Sequence, residues 1–308
     1  MDSRNAKRPQ PLQPHLRLLK TPIQHGKPTR VCPLRFVDRL QRNVSSHALA
    51  DTRSTGDNPP MSLPYPSHCL PCPLPWHLPS ELGSLALQAC RYPPTLPLQD
   101  FADCAIHLPT RLAQASSKRQ AEYLAGRCCA RAALAALGCP GWDAPQQASG
   151  APAWPTGRIA SISHGQGWAL AVAARQTHWQ AIGLDVERCL STQRSERLLR
   201  QLLTPAEISR LPAHPEHRAR QITLSFSAKE SLYKALHPLC GVSFFFQDAE
   251  LVAAGDGQLR LRLLRDLHDD WLHGRELQGY YWALEDSLVT LVVSPASVQP
   301  PGNVARSG

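Results

Sequence analysis

Apolar periodicity along the chain predicts a long helix from Lys118 to Leu137, with Ala121, Leu124, Cys128, Ala132 and Leu134 on one stripe. Ser116-Ser117 precede it, and Gly138 and Pro140 end it. Arg119, Tyr123, Arg127 and Arg131 recur at one-turn spacing and form a separate, cationic row. Strand-like segments follow at Arg158–Ser163 and Trp168–Ala174, joined by His164-Gly165-Gln166-Gly167, and, after a break near His178, at Ala181–Val186. Short helices are predicted across Ser191–Leu203 and Pro205–Leu211, then a longer one over Arg218 to Leu236, stopped by Pro238. Strands at Phe244–Ala253, Gln258–Leu264 and Tyr280–Val293 close the pattern. Each half pairs a long helix with several strands, which predicts an α+β fold of two lobes, residues 61–177 and 178–297.

Outside these segments the pattern weakens. Between Met61 and Pro109, prolines interrupt the apolar anchors Leu74, Trp76, Leu82, Leu85 and Leu87, as expected of edge strands and irregular loops. Residues 139–157 read as a Gly/Pro/Trp loop. Residues 1–60 and 298–308 have no sustained period, and disorder is the expectation for both. Two other readings of residues 1–60 stay open. One is a mitochondrial transit peptide, arginine-rich and acid-poor but broken by prolines; the other is a mis-assigned start, with Met61 as the true one.

Charge sharpens this division. The 308 residues carry 33 Lys+Arg against 24 Asp+Glu, a formal net charge of +9 that suggests a nucleic-acid partner. Residues 1–60 hold 11 Lys+Arg and 4 Asp, however, leaving 22 against 20 for the remainder. The rest of the chain is nearly balanced and has no recognition-helix, zinc-finger or RNP-type pattern, so the expectation is no nucleic acid. No apolar run approaches the roughly 20 residues that span a bilayer, which excludes an integral helical membrane protein. The 10 cysteines, in a chain with ample core residues and no secretory signal, read as reduced thiols of a cytoplasmic protein. Cys69-Leu-Pro-Cys72 has metal-like spacing but no second pair at zinc-site distance, and Cys128 and Cys129 read as small core residues.

Three short segments carry candidate chemistry. In Gly183-Leu-Asp185-Val-Glu187, strand alternation puts both carboxylates on one face, which suits a hard divalent cation; the alternative is a strand end with two solvated acids. In Phe226-Ser-Ala-Lys229-Glu230-Ser231-Leu-Tyr233-Lys234, helical spacing aligns Phe226, Glu230 and Lys234. Glu230 then offers a third carboxylate and Lys234 a cation for phosphate, while Lys229 points about 100° away toward another part of the same cleft. An ordinary surface Glu–Lys pair is the competing reading. Ser161-Ile-Ser163-His164 ends a strand as a hairpin or, with Asp185, as a hydrolase triad, although Ile159 stands where a nucleophile elbow needs its first glycine. His268-Asp269-Asp270 with His273 reads as a metal-like cluster or a solvated turn.

In combination and in this order, the three segments resemble the signatures of the 4′-phosphopantetheinyl transferases, in the larger, surfactin-type group. The branch typified by enterobactin synthase component D and the pseudomonad carrier-protein enzyme adds a Lys-Arg-x-Ala-Glu-x-Leu-Ala-Gly-Arg element, here residues 118–127, and a Pro-x-Trp-Pro element, here residues 152–155. The resemblance covers about residues 63–295, with Ala160 where the branch often has Gly. It implies a monomer of two pseudo-symmetric α+β lobes with the active site at their interface. The implied reaction is Mg²⁺-dependent (or Mn²⁺-dependent) transfer of 4′-phosphopantetheine from coenzyme A to a serine of an apo acyl or peptidyl carrier protein, releasing adenosine 3′,5′-bisphosphate. By the same resemblance Asp185, Glu187 and Glu230 hold the metal. Glu230 is the base, directly or through a bound water; Lys234 contacts the α-phosphate and Lys229 assists on the leaving side. Ser163 and His164 match nucleotide-binding positions, and Arg119 and Arg127 are candidates for the 3′-phosphate. Trp154 packs the loop. A transferase-like protein that binds coenzyme A without turnover is the remaining alternative, disfavoured by the presence of all three carboxylates.

Overall fold

A computed structural model describes residues 65–147 and 150–296. The expectations for residues 1–60 and 298–308 lie outside the described residues. Two antiparallel sheets are built, each backed by one long helix. The first contains β1 (Leu70–Pro71), β2 (Ala86–Arg91), β3 (Arg158–Gly165) and β4 (Trp168–Arg175), in the order β1-β2-β4-β3. The second contains β5 (Trp179–Arg188), β6 (Ala249–Gly255), β7 (Gln258–Leu263), β8 (Glu276–Leu284) and β9 (Ser287–Pro295), in the order β5-β9-β8-β7-β6. Short helices α1 (Gln99–Asp103) and α2 (Thr110–Ala113) lead into the long helix α3 (Ser117–Ala135). Helices α4 (Thr192–Leu202) and α5 (Pro205–Ser209) lead into α6 (Pro215–Cys240). The architecture is α+β, as the alternation of helical and strand periods predicts. No helix among the described residues is long and apolar enough to cross a membrane.

Strand alternation sorts the residues into layers. Ala169, Ala171 and Ala173 of β4 lie against α3, whereas Leu170, Val172 and Ala174 join Ile182, Leu184 and Val186 of β5 and Val289, Leu291 and Val293 of β9 in one shared core. The order is therefore helix, sheet, sheet, helix. Each fully buried Leu or Val of that shared core contributes about 1.5–3 kcal/mol, so the two sheets are fused.

Both long helices approach their sheets at a glycine. A Cβ on Gly126 of α3 would lie 2.8 Å from the Ile162 side chain. A Cβ on Gly183 of β5 would lie 1.9 Å from the carbonyl oxygen of Ser231, in the backbone of α6 itself. Only a glycine there lets α6 sit down on the face that carries Asp185.

The elements differ from the sequence reading in four places. Helix α6 runs through Pro238 to Cys240, because a proline in the last turn removes only one hydrogen bond before Gly241, at φ 65°, caps the end. The predicted strand Tyr280–Val293 is a hairpin, with Leu284 opposite Ser287 across Glu285-Asp286 and Glu285 at φ 54°. That turn uses acidic residues where Asn-Gly would have signalled it. Residues 246–248 form a 3-10 turn, so the strand expected from Phe244 starts at Ala249. The segment before Pro109 holds the short helix α1 as well as strands and loops.

Candidate active site at the meeting of two edge strands

Strands β3 and β5 are edge strands of their sheets, and they meet through side chains. Ser161 Oγ accepts from the Leu184 backbone N–H (3.0 Å), and Ser163 Oγ accepts from that of Val186 (3.1 Å). Two hydroxyls thus satisfy edge N–H groups that would otherwise be orphaned in the interior. Ser163 also donates to Asp185 Oδ1 (3.0 Å) and accepts from Lys234 Nζ (3.1 Å), which fills its hydrogen-bonding capacity.

Asp185 is the hub. It is 1 % exposed, and its Oδ1 also receives Lys234 Nζ at 2.6 Å, while Oδ2 accepts from Ser227 Oγ at 2.9 Å. Lys234 Nζ further donates to the Leu184 carbonyl oxygen (3.0 Å), wrapping the edge of β5. Beneath, Ser227 and Ser231 hydrogen-bond the Thr290 hydroxyl of β9, locking α6 to the sheet. Glu187 follows on the same face of β5 and is half-buried. Glu230 is buried, three residues after Ser227 and four before Lys234; since both of those touch Asp185, it shares their face of α6.

Among the described residues no three His, Cys, Asp or Glu side chains are gathered into a ready metal-ligand set. The donor chemistry still fits a hard cation: three carboxylates on adjoining faces of β5 and α6, with Lys234 and two hydroxyls already gathered on Asp185. The His268, Asp269, Asp270, His273 cluster is a turn folded over buried Trp271, with Asp266 accepting from the His273 N–H.

On the other side of the seam, His164 projects from the opposite face of β3 to Ser161 and Ser163, toward α3. Its Nε2 lies 2.8 Å from Arg119 Nη1, which also donates to Glu122 Oε2 (3.2 Å). This alternation excludes a Ser-His-Asp triad, since Ser163 bonds Asp185 directly with no imidazole between them. Arg127 is 5 % exposed; its guanidinium stacks on the Tyr123 ring (4.6 Å to the centroid) and its Nε has no hydrogen-bond partner. No carboxylate pairs with it among the described residues. The predicted cationic row is therefore split, for Arg131 turns inward and donates to the Cys104 carbonyl.

Lys229 departs furthest from its expected surroundings. It is 2 % exposed, and its Nζ meets Glu207 Oε2 (2.6 Å) and the Leu202 carbonyl (2.8 Å), away from Asp185. Glu207 closes a capping box with Thr204 at the start of α5 and accepts from the Leu251 N–H (2.9 Å). Burial pushes the Lys229 ammonium below its ordinary range, against the upward pull of Glu207. Sequence reasoning assigned no role to Glu122, Ser227 or Glu207. Thr204-Pro-Ala-Glu207 does match a capping box, which would have marked Glu207 as structural.

Residues 108–174 match the 4′-phosphopantetheinyl transferase N-terminal domain, and residues 181–290 match the 4′-phosphopantetheinyl transferase superfamily. The chain is 34 % identical over 212 residues to 4′-phosphopantetheinyl transferase Svp of Streptomyces mobaraensis, covering 67 % of this chain and 82 % of that protein. It belongs to the 4′-phosphopantetheinyl transferase superfamily. Enterobactin synthase component D of Salmonella typhimurium is 41 % identical over 185 residues (59 % of this chain, 75 % of that protein). PptT of Mycobacterium tuberculosis is 31 % identical over 189 residues (59 % and 82 %). The two matched ranges of the transferase enclose the whole seam: Arg119, Glu122, Arg127, Ser163 and His164 fall in the first, and Asp185, Glu187, Lys229, Glu230 and Lys234 in the second.

Proposed function

We propose that this phosphopantetheinyl transferase moves 4′-phosphopantetheine from coenzyme A to a serine hydroxyl of an apo acyl or peptidyl carrier protein, with release of adenosine 3′,5′-bisphosphate. The observation that carries the reading is the division of charge across the β3–β5 seam. Acids and Lys234 stand on the β5–α6 side, while Arg119 and the buried Arg127, which has no carboxylate partner among the described residues, stand on the α3 side. A pyrophosphate diester with a third, remote phosphate is a ligand such a site suits.

In this reading Arg119 and Arg127 hold the 3′-phosphate, and Ser163 and His164 flank the nucleotide. Lys234 stands beside the α-phosphate and neutralises charge on the departing bisphosphate. Asp185, Glu187 and Glu230 would hold Mg²⁺ (or Mn²⁺), which supplies charge neutralisation at the pyrophosphate when bound. The Glu230 carboxylate accepts the proton of the carrier serine as its oxygen bonds to the β-phosphorus and the bond to the leaving phosphate breaks. Lys229, sequestered on Glu207, braces α6 next to Glu230.

The test is intact-mass analysis of a panel of apo carrier proteins incubated with the protein, coenzyme A and Mg²⁺. A gain of one phosphopantetheine that is lost in Glu230→Gln is the expected result. No gain on acyl or peptidyl carriers would overturn the proposal.

A further inference from the structure

We infer that Glu122 is a positioning residue of the nucleotide side, fixing both the guanidinium of Arg119 and the tautomer of His164; the inference rests on the reading above. Glu122 Oε2 accepts from Arg119 Nη1 at 3.2 Å, one helical turn away, and stands 3.6 Å from His164 Nδ1. Arg119 Nη1 in turn lies 2.8 Å from His164 Nε2. A guanidinium has five donors and no acceptor, so this short contact requires Nε2 to be the acceptor. The ring proton then sits on Nδ1, on the edge turned toward the Glu122 carboxylate, which favours it electrostatically.

The three side chains close a triangle whose exposure falls from Arg119 (49 %) to His164 (16 %) and Glu122 (14 %). The acid is thus the screened corner and Arg119 the one open to ligand. An exposed arginine ordinarily samples many rotamers, and fixing one costs side-chain entropy. With Glu122 holding it, much of that ordering is complete before a phosphate arrives. Glu122 touches no reacting atom; it acts through Arg119 and His164, so its removal raises KM for coenzyme A and leaves kcat nearly unchanged.

Glu122→Gln keeps the shape and removes the charge, and Glu122→Asp keeps the charge on a shorter arm. Two readouts apply to each: steady-state kinetics with coenzyme A, and ¹⁵N NMR of the histidine rings, with His164 assigned by its loss in His164→Gln. The wild-type spectrum is expected to show His164 neutral, with its proton on Nδ1. In Glu122→Gln that pattern should shift toward the Nε2 proton or a mixture, with KM for coenzyme A rising about tenfold and kcat changing less than about twofold. Glu122→Asp should recover part of both. A wild-type ring pattern and KM in Glu122→Gln, or a fall in kcat alone, would overturn the inference. The spectra need no substrate: an inactive wild-type protein would sink the transferase reading, and the ring tautomer would still decide the role of Glu122.

Discussion

Among the cations that helices α3 and α6 bury against their sheets, two, Arg127 and Lys229, are treated in opposite ways. Lys229 of α6 has a carboxylate at 2.6 Å and a carbonyl at 2.8 Å, and its partner Glu207 is itself held by two backbone N–H groups. Arg127 of α3 has only the face of Tyr123 and, among the described residues, no anion. A buried charge without a counter-ion is expensive, whereas a paired one is expensive chiefly when its partner is removed. Lys229 is therefore committed to the fold. Arg127 is left without an anion among the described residues, which is the condition that the proposed 3′-phosphate contact would relieve.

The sharpest break of this contrast is Lys229→Met, which leaves Glu207 charged and buried. It should lower stability by about 3–5 kcal/mol in urea unfolding, and adding Glu207→Gln should restore much of it. If Lys229→Met left stability intact and removed activity, Lys229 would belong with the reacting groups.

The docking glycines give the next largest effect. Gly183→Ala drives a Cβ into the backbone of α6 and should cost about 3 kcal/mol or more, with activity lost as α6 lifts from Asp185. Gly126→Ala meets the branch methyl of Ile162 rather than backbone and gains helix propensity, so its net cost should be smaller, about 1–2 kcal/mol. Equal midpoints for the two variants would contradict the close approach at Gly183.

Legibility in the sequence followed locality. Period-two alternation was enough to place Asp185 and Glu187 on one face, and four-residue spacing enough to align Glu230 with Lys234. What a spacing could not supply is the destination of a long side chain. Lys229 ends on Glu207, and Arg131 on a carbonyl of the α1 cap, because those partners arrive from other elements through the fold. Ser161 and Ser163 read as the end of a strand, and no local signal reveals that two edge strands meet there. The Glu285-Asp286 turn escaped notice for a different reason: its φ of 54° is adopted by a residue that seldom takes it.

A pH-dependent effect concerns the apolar side of α3. Hydrogen bonds to neighbouring thiols, and then burial, push Cys69, Cys90 and Cys128 above the ordinary thiol value of 9.0. Unfolding lets them ionise, so the unfolded state binds fewer protons above that value and the stability these thiols contribute declines as pH rises past it. The unfolding free energy measured in urea should fall between pH 8 and pH 10 by about 1.4 kcal/mol for each thiol that the fold keeps protonated, up to about 4 kcal/mol for the three. A flat profile would show that the core thiols are not held protonated by the fold.

The contrast between the two buried cations is tested most directly by Arg127→Leu, with urea unfolding and calorimetric titration of coenzyme A run on the same preparation. Replacing an uncompensated buried guanidinium by an apolar side chain should leave stability unchanged or raise it by about 1 kcal/mol. The same variant should bind coenzyme A about tenfold or more weakly, and 3′-dephospho-coenzyme A with little change from wild type. Wild-type affinity for coenzyme A in a folded Arg127→Leu protein would contradict the account.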